Sequence, residues 1–227
     1  MNCVLHIGIE KTGTTSLQEF FVLNQESLLN QNYKITHSLG KINNSGLIQL
    51  ANKNKLSAHV KNIRGLNDES YEIFLKKRFK NFKKEILNTK WPSSKKNVLM
   101  SSEFLQSHLN ILDMRNLKLV LQNFGFKTFK IVLVLRPQSE VFLSRLSTGV
   151  IAGNHYDFLN NSNIIELPDG YLKNLRLYNY TKTINEWSEV FGTNNMLVLD
   201  FNKIKKHSLE KNFLKEIDNN LDLKNLK

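Results

Sequence analysis

The sequence predicts an α/β fold of three layers, in which a mostly parallel central sheet is flanked by helices. The first observation is that short apolar segments typical of strands alternate with longer amphipathic segments typical of helices. The second is an uninterrupted apolar run at residues 131–135, the pattern of a strand buried on both faces. Because such alternation implies right-handed crossovers and a parallel sheet, we expect one domain of this class over residues 1–227.

Strands are predicted where apolar runs end in loop-forming residues. They cover residues 4–8, 98–100, 131–135 and 196–199. The first three are each followed by a polar segment rich in reactive side chains: residues 10–16, 101–103 and 136–144. Because ligands of parallel sheets bind beyond the carboxyl ends of the strands, we expect these three segments to meet at one site.

Helices are predicted where apolar residues recur at steps of three and four. The clearest helix covers residues 68–90, where Leu75, Phe79, Phe82 and Ile86 form one apolar stripe between lysines. Further helices are predicted after residue 16, over 111–124, around 141–145, over 171–191, and in a polar tail from residue 209. Residues 38–46 and 148–170 are predicted to be irregular.

The chain is strongly basic. Lysine and arginine together number 32 against 20 aspartates and glutamates, which gives a net charge of +12. Such a balance favours anionic partners such as nucleotides, nucleic acid or acidic glycans, although lysines on solvated helix faces explain part of it equally well.

The compartment is predicted from cysteine content and hydropathy. The single cysteine, Cys3, excludes an intrachain disulfide and suits a reducing environment. The N-terminal residues lack the basic, apolar and small-residue pattern of a signal peptide, and no apolar run approaches the length of a transmembrane segment. A cytoplasmic enzyme without a membrane span is therefore expected.

The first polar segment has the composition of an anion-binding loop. Gly8 and Gly13 have the spacing of a phosphate-binding loop, but Thr14 replaces the usual lysine, and the lysine comes earlier, at Lys11. Small residues let backbone amides approach an anion, and the following helix adds its positive end. The missing Lys-Ser/Thr pair argues against magnesium-dependent nucleotide hydrolysis. A tight strand-to-helix turn with a chance glycine pattern is the alternative.

Residues 6–18 resemble the 5′-phosphosulfate loop of sulfotransferases, which have a fold like that of P-loop NTPases. The resemblance implies a donor, 3′-phosphoadenosine 5′-phosphosulfate (PAPS), and no metal ion. It also implies that Lys11 contacts the 5′-phosphate and the bridging oxygen of the leaving group. The residues implied to surround the phosphosulfate are Thr12, Gly13, Thr14, Thr15 and Ser16.

A second motif follows the strand at 131–135. Sulfotransferases carry an arginine at the end of this strand and a serine eight positions later, and Arg136 and Ser144 keep that spacing. The resemblance implies that both bind the 3′-phosphate of the donor, a task that suits the paired donors of a guanidinium. The alternative for Arg136 is a surface arginine at a strand end, and for Ser144 a routine helical serine.

The resemblance extends towards the C-terminus and there becomes incomplete. Family members often have a long helix that ends near Trp and Phe-Gly before an apolar strand, as at Trp187, Phe191 and residues 196–199. The Arg-Lys-Gly-rich segment of the cytosolic phenol and steroid enzymes is absent from this sequence. The chain is therefore more similar to the bacterial and carbohydrate-type branch, and the C-terminal contact to the 3′-phosphate stays unassigned.

Sulfuryl transfer needs a base that takes the proton of the acceptor. Glu103 is the first candidate, because it follows the second strand and carbohydrate-type members use a glutamate in a similar place. His108 is the second candidate and Glu10 the third. The alternatives are a glutamate that interacts with the dipole at a helix N-terminus for Glu103 and a surface position for His108.

Other polar residues near the predicted site are weaker candidates. Ser101 and Ser102 are candidates for binding donor or acceptor, or for plain helix capping. Three residues of the irregular stretch are candidates for facing the acceptor or for lying in a solvated loop: Asn154, His155 and Tyr156.

The predicted activity is transfer of a sulfuryl group from PAPS to a hydroxyl or amine of a glycan or small molecule, by in-line displacement. Nucleic acid is not an expected partner. Three alternatives remain at this point: a P-loop nucleotide kinase or NTPase, a basic nucleic-acid-binding module suggested by residues 76–80, and an inactive relative of the sulfotransferases.

Overall fold

The computed structural model describes residues 1–153 and 175–227. A five-stranded sheet lies at its centre, with the strand order β2-β3-β1-β4-β5, and every pair of neighbours is parallel. The strands are β1 (Asn2–His6), β2 (Tyr33–Ile35), β3 (Asn97–Ser101), β4 (Thr128–Leu135) and β5 (Met196–Asp200). The predicted α/β fold with a parallel sheet is confirmed, and the first, third, fourth and fifth strands correspond to the predicted ones.

Helices connect the strands. Before β4 they are α1 (Thr14–Leu23), α2 (Gln25–Asn30), α3 (Gly46–Ala51), α4 (Ser57–Arg64), α5 (Asp68–Leu87), α6 (Phe104–His108) and α7 (Ile111–Asn123). After β4 they are α8 (Gln138–Ile151), α9 (Leu175–Tyr178), α10 (Tyr180–Phe191), α11 (Phe201–Ile204) and α12 (Leu209–Ile217), with a short 3₁₀ turn at Thr193–Asn195.

Two hydrophobic clusters, one on each face of the sheet, form the core. Neighbouring strand residues alternate between them, so that Leu5 and Ile131 belong to one cluster while Val4 and Val132 belong to the other. Side chains of α3, α5, α7 and α10 pack in the first cluster, and those of α1, α2 and α12 in the second. Helices therefore cover both faces, as the three-layer prediction requires.

The prediction of one continuous helix over residues 171–191 is wrong, because the helix is interrupted at Asn179. The side chain of Asn179 accepts a hydrogen bond from the Lys182 amide and so caps α10, which separates it from α9. The predicted stretch at 171–174 lies outside the described residues. The irregular region is also shorter than predicted at its start, because α8 continues to Ile151.

Three further differences concern short or C-terminal elements. Strand β2 was not predicted, because three residues are too few to show an alternating pattern. The short helices α3, α4 and α6 were likewise not predicted. The predicted tail helix exists as α12, but it is amphipathic rather than polar, because Phe213, Leu214 and Ile217 are buried against the sheet. In the described part of the chain, no helix is both long and apolar enough to cross a membrane.

Candidate active site

The carboxyl ends of β1, β3 and β4 lie side by side. His6, the last residue of β1, is in register with Ser101 on one side and Val132 on the other. The chain continues from these strands into residues 8–16, Glu103 and Arg136 respectively. The predicted convergence of the three polar segments is therefore confirmed.

The loop after β1 has the backbone of an anion-binding loop. Three of its residues have positive φ angles: Gly8 at 39°, Lys11 at 68° and Gly13 at 74°. Helix α1 begins at Thr14 without a side-chain cap, so the first amides of the helix have no partner within it. Residues with positive φ angles before a helix N-terminus can turn successive N–H groups towards one point, which suits a phosphate or sulfate.

Two glycines of this loop have positive φ angles and lie close to other segments of the chain. A Cβ on Gly8 would lie 3.3 Å from the Cα and Cβ atoms of Glu103, so Gly8 lets the segment after β3 approach the loop. A Cβ on Gly13 would lie 2.4 Å from Cδ2 of Leu209 in α12. The C-terminal segment thus covers one side of the loop, a contact that the sequence did not indicate.

The hydroxyl groups of the loop have different surroundings. Thr12 is fully buried and donates to the Ile9 carbonyl oxygen at 2.6 Å, which fixes the turn. Ser16 donates to the carboxylate of Glu210 in α12. Burial opposes ionisation of Glu210, but hydrogen bonds from Ser16 and Ser208 outweigh it and lower the pKa of this carboxyl. Of the predicted hydroxyl ligands, the Thr12 and Ser16 side chains therefore already have protein partners.

Lys11 and Glu103 line the same cleft. The cleft has a volume of about 290 Å³, and Thr14, Thr15 and Gly13 form its floor beside them. The ammonium group of Lys11 donates to Oγ1 of Thr148 in α8 at 3.0 Å, and Thr148 in turn donates to the Ser144 carbonyl oxygen at 2.9 Å. The structure thus joins the lysine of the first motif to the helix that carries the second.

The carboxylate of Glu103 is held by one of its two oxygens. Oε2 accepts hydrogen bonds from Nε2 of Gln18 at 2.9 Å and from Nδ2 of Asn43 at 3.0 Å. Among residues 1–153 and 175–227, no group donates a hydrogen bond to Oε1. One oxygen therefore orients the group and the other stays available, an arrangement suited to a base.

A buried polar network lies behind Glu103. Nε2 of Gln18 also donates to Oγ of Ser101 at 3.1 Å, and Nδ1 of His6 lies 2.9 Å from the same oxygen. Burial lowers the pKa of His6 to about 3, so the imidazole is neutral at physiological pH. Its ring packs edge-on against Phe213, with centroids 5.0 Å apart. The candidate Ser101 therefore belongs to this network. The candidate Ser102 is fully buried.

The other two candidate bases are placed less favourably. The Glu10 carboxylate lines the cleft but forms an ion pair with Arg145 at 2.6 Å. Nδ1 of His108 lies 3.1 Å from the Phe104 carbonyl oxygen, within α6, and His108 does not line the cleft. In the described part of the chain, Glu103 differs from Glu10 in that it lines the cleft without pairing with a cation, and it differs from His108 in lining the cleft at all.

Arg136 contacts the anion-binding loop directly. Its Nη1 donates to the Lys11 carbonyl oxygen at 2.9 Å, and its Nε pairs with Glu140 at 2.9 Å. The guanidinium lies over the ring of Phe201, 5.1 Å from the centroid. Hydrogen bonds from Arg136 and then from Asn202 lower the pKa of Glu140, which is therefore the anion that Arg136 holds in this state.

Ser144 lies in α8 and is half-buried, whereas Arg136 precedes this helix by two residues. Helix α8 therefore carries one residue of the predicted 3′-phosphate pair and also Thr148, which accepts the hydrogen bond from Lys11. The candidates Asn154, His155 and Tyr156 lie outside the described residues. Within the described ranges, no three His, Cys, Asp or Glu side chains are grouped so that they could hold a metal ion.

The sequence analysis missed Gln18 and Asn43, the two residues that hold Glu103. Gln18 lies inside the motif at residues 6–18. It is a polar residue on the buried face of α1, next to Leu17, and a polar residue at such a position could have indicated a role in the site. Asn43 lies in the irregular segment after β2, where a single asparagine has no pattern that distinguishes it.

Comparisons with known proteins indicate the family and the fold of the chain. A family model described as a sulfotransferase domain matches residues 2–212. No curated protein matches the sequence. Among solved structures, the chain is similar to a sulfotransferase from Alicyclobacillus acidocaldarius, with a TM-score of 0.51 and 12% identity over 90% of this chain and 74% of that one. At that identity the structural likeness supports the fold alone.

Proposed function

This chain belongs to the sulfotransferase family, and from that premise we propose that it transfers a sulfuryl group from PAPS to a hydroxyl or amine of a glycan or small molecule. Sulfuryl transfer in general follows from the family. The donor and the acceptor class are our inference. We also propose that residues 1–227 act as one domain in the cytoplasm, where a chain with a single cysteine meets a suitably reducing environment.

The observation that carries the proposal is the direct hydrogen bond between Arg136 and the backbone of Lys11. It supports the idea that the two anion-binding elements are close enough for one nucleotide to reach both. In this account, the amides of residues 13–16 hold the 5′-phosphosulfate. Arg136 and Ser144 hold the 3′-phosphate, for which the Arg136 guanidinium leaves Glu140.

The proposed reaction is an in-line displacement at sulfur. The acceptor oxygen forms a bond to sulfur while the bond from sulfur to the bridging phosphate oxygen breaks, and adenosine 3′,5′-bisphosphate leaves. Oε1 of Glu103 takes the acceptor proton, and the ammonium of Lys11 stabilises the charge that develops on the leaving oxygen. Both side chains line the cleft beside the loop, which supports these roles.

Donor choice separates this proposal from a nucleotide kinase. We expect adenosine 3′,5′-bisphosphate to stabilise the protein and ATP with magnesium to do so much less. At about 100 times its Kd a ligand stabilises a protein by about 2.7 kcal/mol, which raises the Tm of a chain of this size by about 5–10 °C. Thermal unfolding with each nucleotide measures the difference, and a larger shift with ATP and magnesium would favour the kinase.

The role of Arg136 predicts a selective loss of affinity. Arg136→Gln should weaken binding of adenosine 3′,5′-bisphosphate by about 10- to 100-fold, the usual effect of removing a charged hydrogen bond. Binding of AMP, which lacks the 3′-phosphate, should change little. Isothermal titration calorimetry measures both affinities.

A matched control is Arg115→Gln, which removes an exposed arginine that is paired with Glu189 on the surface. This variant should bind both nucleotides with wild-type affinity. If Arg136→Gln instead weakens both nucleotides equally, Arg136 supports the loop through Lys11 and does not recognise the 3′-phosphate.

A further inference from the structure

A second cleft, strongly basic, lies at the β2 edge of the sheet. It has a volume of about 360 Å³, and its side chains include Lys41, Arg64, Phe74, Lys77 and Arg78. We call it the basic cleft. No aspartate or glutamate is among its lining residues in the described part of the chain. An excess of positive charge in a concave site favours an anionic ligand.

Two arginines of the basic cleft converge on one aromatic ring. The guanidinium carbons of Arg64 and Arg78 lie 4.7 and 5.7 Å from the centroid of Phe74. Over the described residues, neither arginine forms an ion pair. The Arg78 guanidinium donates to neutral acceptors, the carbonyl oxygens of Ser38 and Leu39 and the side chain of Gln49.

Burial, and then the charge of Arg64, lower the pKa of Arg78 to about 10. The two positive charges therefore repel each other, and in the described part of the chain neither arginine is paired with a carboxylate. A bound anion would relieve it. This feature distinguishes the basic cleft from lysines scattered on a solvated surface.

The loop that borders the basic cleft is fixed on α5. The carboxylate of Glu85 accepts hydrogen bonds from the amides of His37 and Ser38 at 2.9 and 3.0 Å. Arg78 binds the following carbonyl groups, and a Cβ on Gly46 would lie only 2.6 Å from its Cζ atom. The first part of this loop is therefore held rigidly beside the cleft.

The same loop continues to the general base proposed above. The Asn43 side chain donates to Glu103, and the Asn44 amide donates to the Ser101 carbonyl oxygen at 2.9 Å. Lys41 precedes Asn43 by two residues, so their Cα atoms are at most about 7 Å apart. One fixed segment of the chain therefore connects the basic cleft to Glu103.

Sheet order indicates which ligand meets the basic cleft. The residues proposed for the donor follow β1 and β4, whereas Glu103 follows β3 and the cleft borders the loop after β2. Since β3 and β2 lie on the opposite side of β1 from β4, the basic cleft lies on the Glu103 side of the sheet, away from Arg136.

We propose that the basic cleft binds a carboxylate or sulfate group of the acceptor, which is therefore an acidic saccharide whose hydroxyl near Glu103 receives the sulfuryl group. The inference rests on the proposed function, since it takes Glu103 as the base.

An acidic saccharide fits the basic cleft better than nucleic acid does. Binding of single-stranded nucleic acid relies on aromatic faces that stack on bases. The Phe74 ring is already engaged by two guanidinium groups, and Phe79 of the basic segment at 76–80 packs against the core. The cleft therefore offers a ligand the cationic groups of lysines and arginines, which suit the anionic group of a sugar.

Two neighbouring lysines on α5 provide the test. Lys76 and Lys77 are both exposed, but only Lys77 lines the basic cleft. The probes are a heparin-derived tetrasaccharide, neutral maltotetraose and a short oligouridylate, with binding measured by calorimetry. We expect the acidic tetrasaccharide to bind the wild type at least about tenfold more tightly than maltotetraose does.

Lys77→Gln and Arg64→Gln should each weaken tetrasaccharide binding by about five- to tenfold, whereas Lys76→Gln should change it by less than about twofold. Equal losses in the Lys76 and Lys77 variants would overturn the proposal, because they would reflect net charge alone. Absence of tetrasaccharide binding, or tighter competition by oligouridylate at the cleft, would also overturn it.

The proposed function is tested separately with adenosine 3′,5′-bisphosphate. All four proteins should bind this nucleotide equally, because the basic cleft lies away from the donor residues. If the nucleotide binds but the tetrasaccharide does not, the acceptor inference fails alone. If the nucleotide binds to none of them, the proposed function fails, and the acceptor inference fails with it.

Discussion

Replacing Lys11 by alanine is expected to lower kcat by about a thousandfold, the upper range for loss of one group that stabilises transition-state charge. The ammonium group is the only positive charge that lines the Glu103 cleft in the described residues. Without it, the bridging oxygen leaves with uncompensated charge. Transfer of radiolabelled sulfate from PAPS in a single turnover measures the effect on the chemical step.

The backbone should tolerate this substitution. Lys11 has a φ angle of 68°, and alanine carries the same steric cost there because both residues have a Cβ atom. Lys224→Ala, which removes an exposed lysine near the C-terminus, is the matched control and should transfer sulfate normally. Undiminished turnover in Lys11→Ala would show that another group stabilises the leaving oxygen.

Glu103→Gln is expected to lower kcat by about 10²- to 10⁴-fold, as removal of a general base does. The amide oxygen of glutamine can still accept hydrogen bonds from Gln18 and Asn43, so the geometry of the side chain should be kept. Transfer of radiolabelled sulfate in a single turnover measures the loss in the chemical step.

Glu10→Gln is the matched control for this experiment. It removes the same charge from the same cleft, but from a carboxylate that is paired with Arg145. Its activity should stay within about tenfold of the wild type, the loss expected from disturbing one ion pair. If Glu10→Gln shows the large loss of kcat and Glu103→Gln stays near the wild-type rate, the base is Glu10.

Much of the fold was accessible from the sequence because its strongest signals are local. The apolar run at 131–135 can only be a buried strand or a short buried helix segment, and Arg136-Pro137 ends it. The two glycines of the first loop likewise indicate a tight turn, because glycine adopts positive φ angles without steric strain. Parallel neighbours then bring the strand ends together without further information.

Contacts between distant segments were not accessible in this way. Asn43 meets Glu103 only because β2 pairs with β3, and β2 has just three residues. Ser16 meets Glu210 across 194 positions of sequence, so its protein partner could not be foreseen from the loop. The break at Asn179 follows from a capping hydrogen bond that competes with an otherwise continuous helical pattern.

The most direct test of the central claim is a crystal structure of the protein with adenosine 3′,5′-bisphosphate. A single nucleotide should span both elements, with its 5′-phosphate on the amides of Thr14 and Thr15 and its 3′-phosphate on Arg136 and Ser144. The Arg136 guanidinium should have exchanged Glu140 for that phosphate. A nucleotide bound away from residues 8–16, or with its 3′-phosphate directed away from Arg136, would contradict the account.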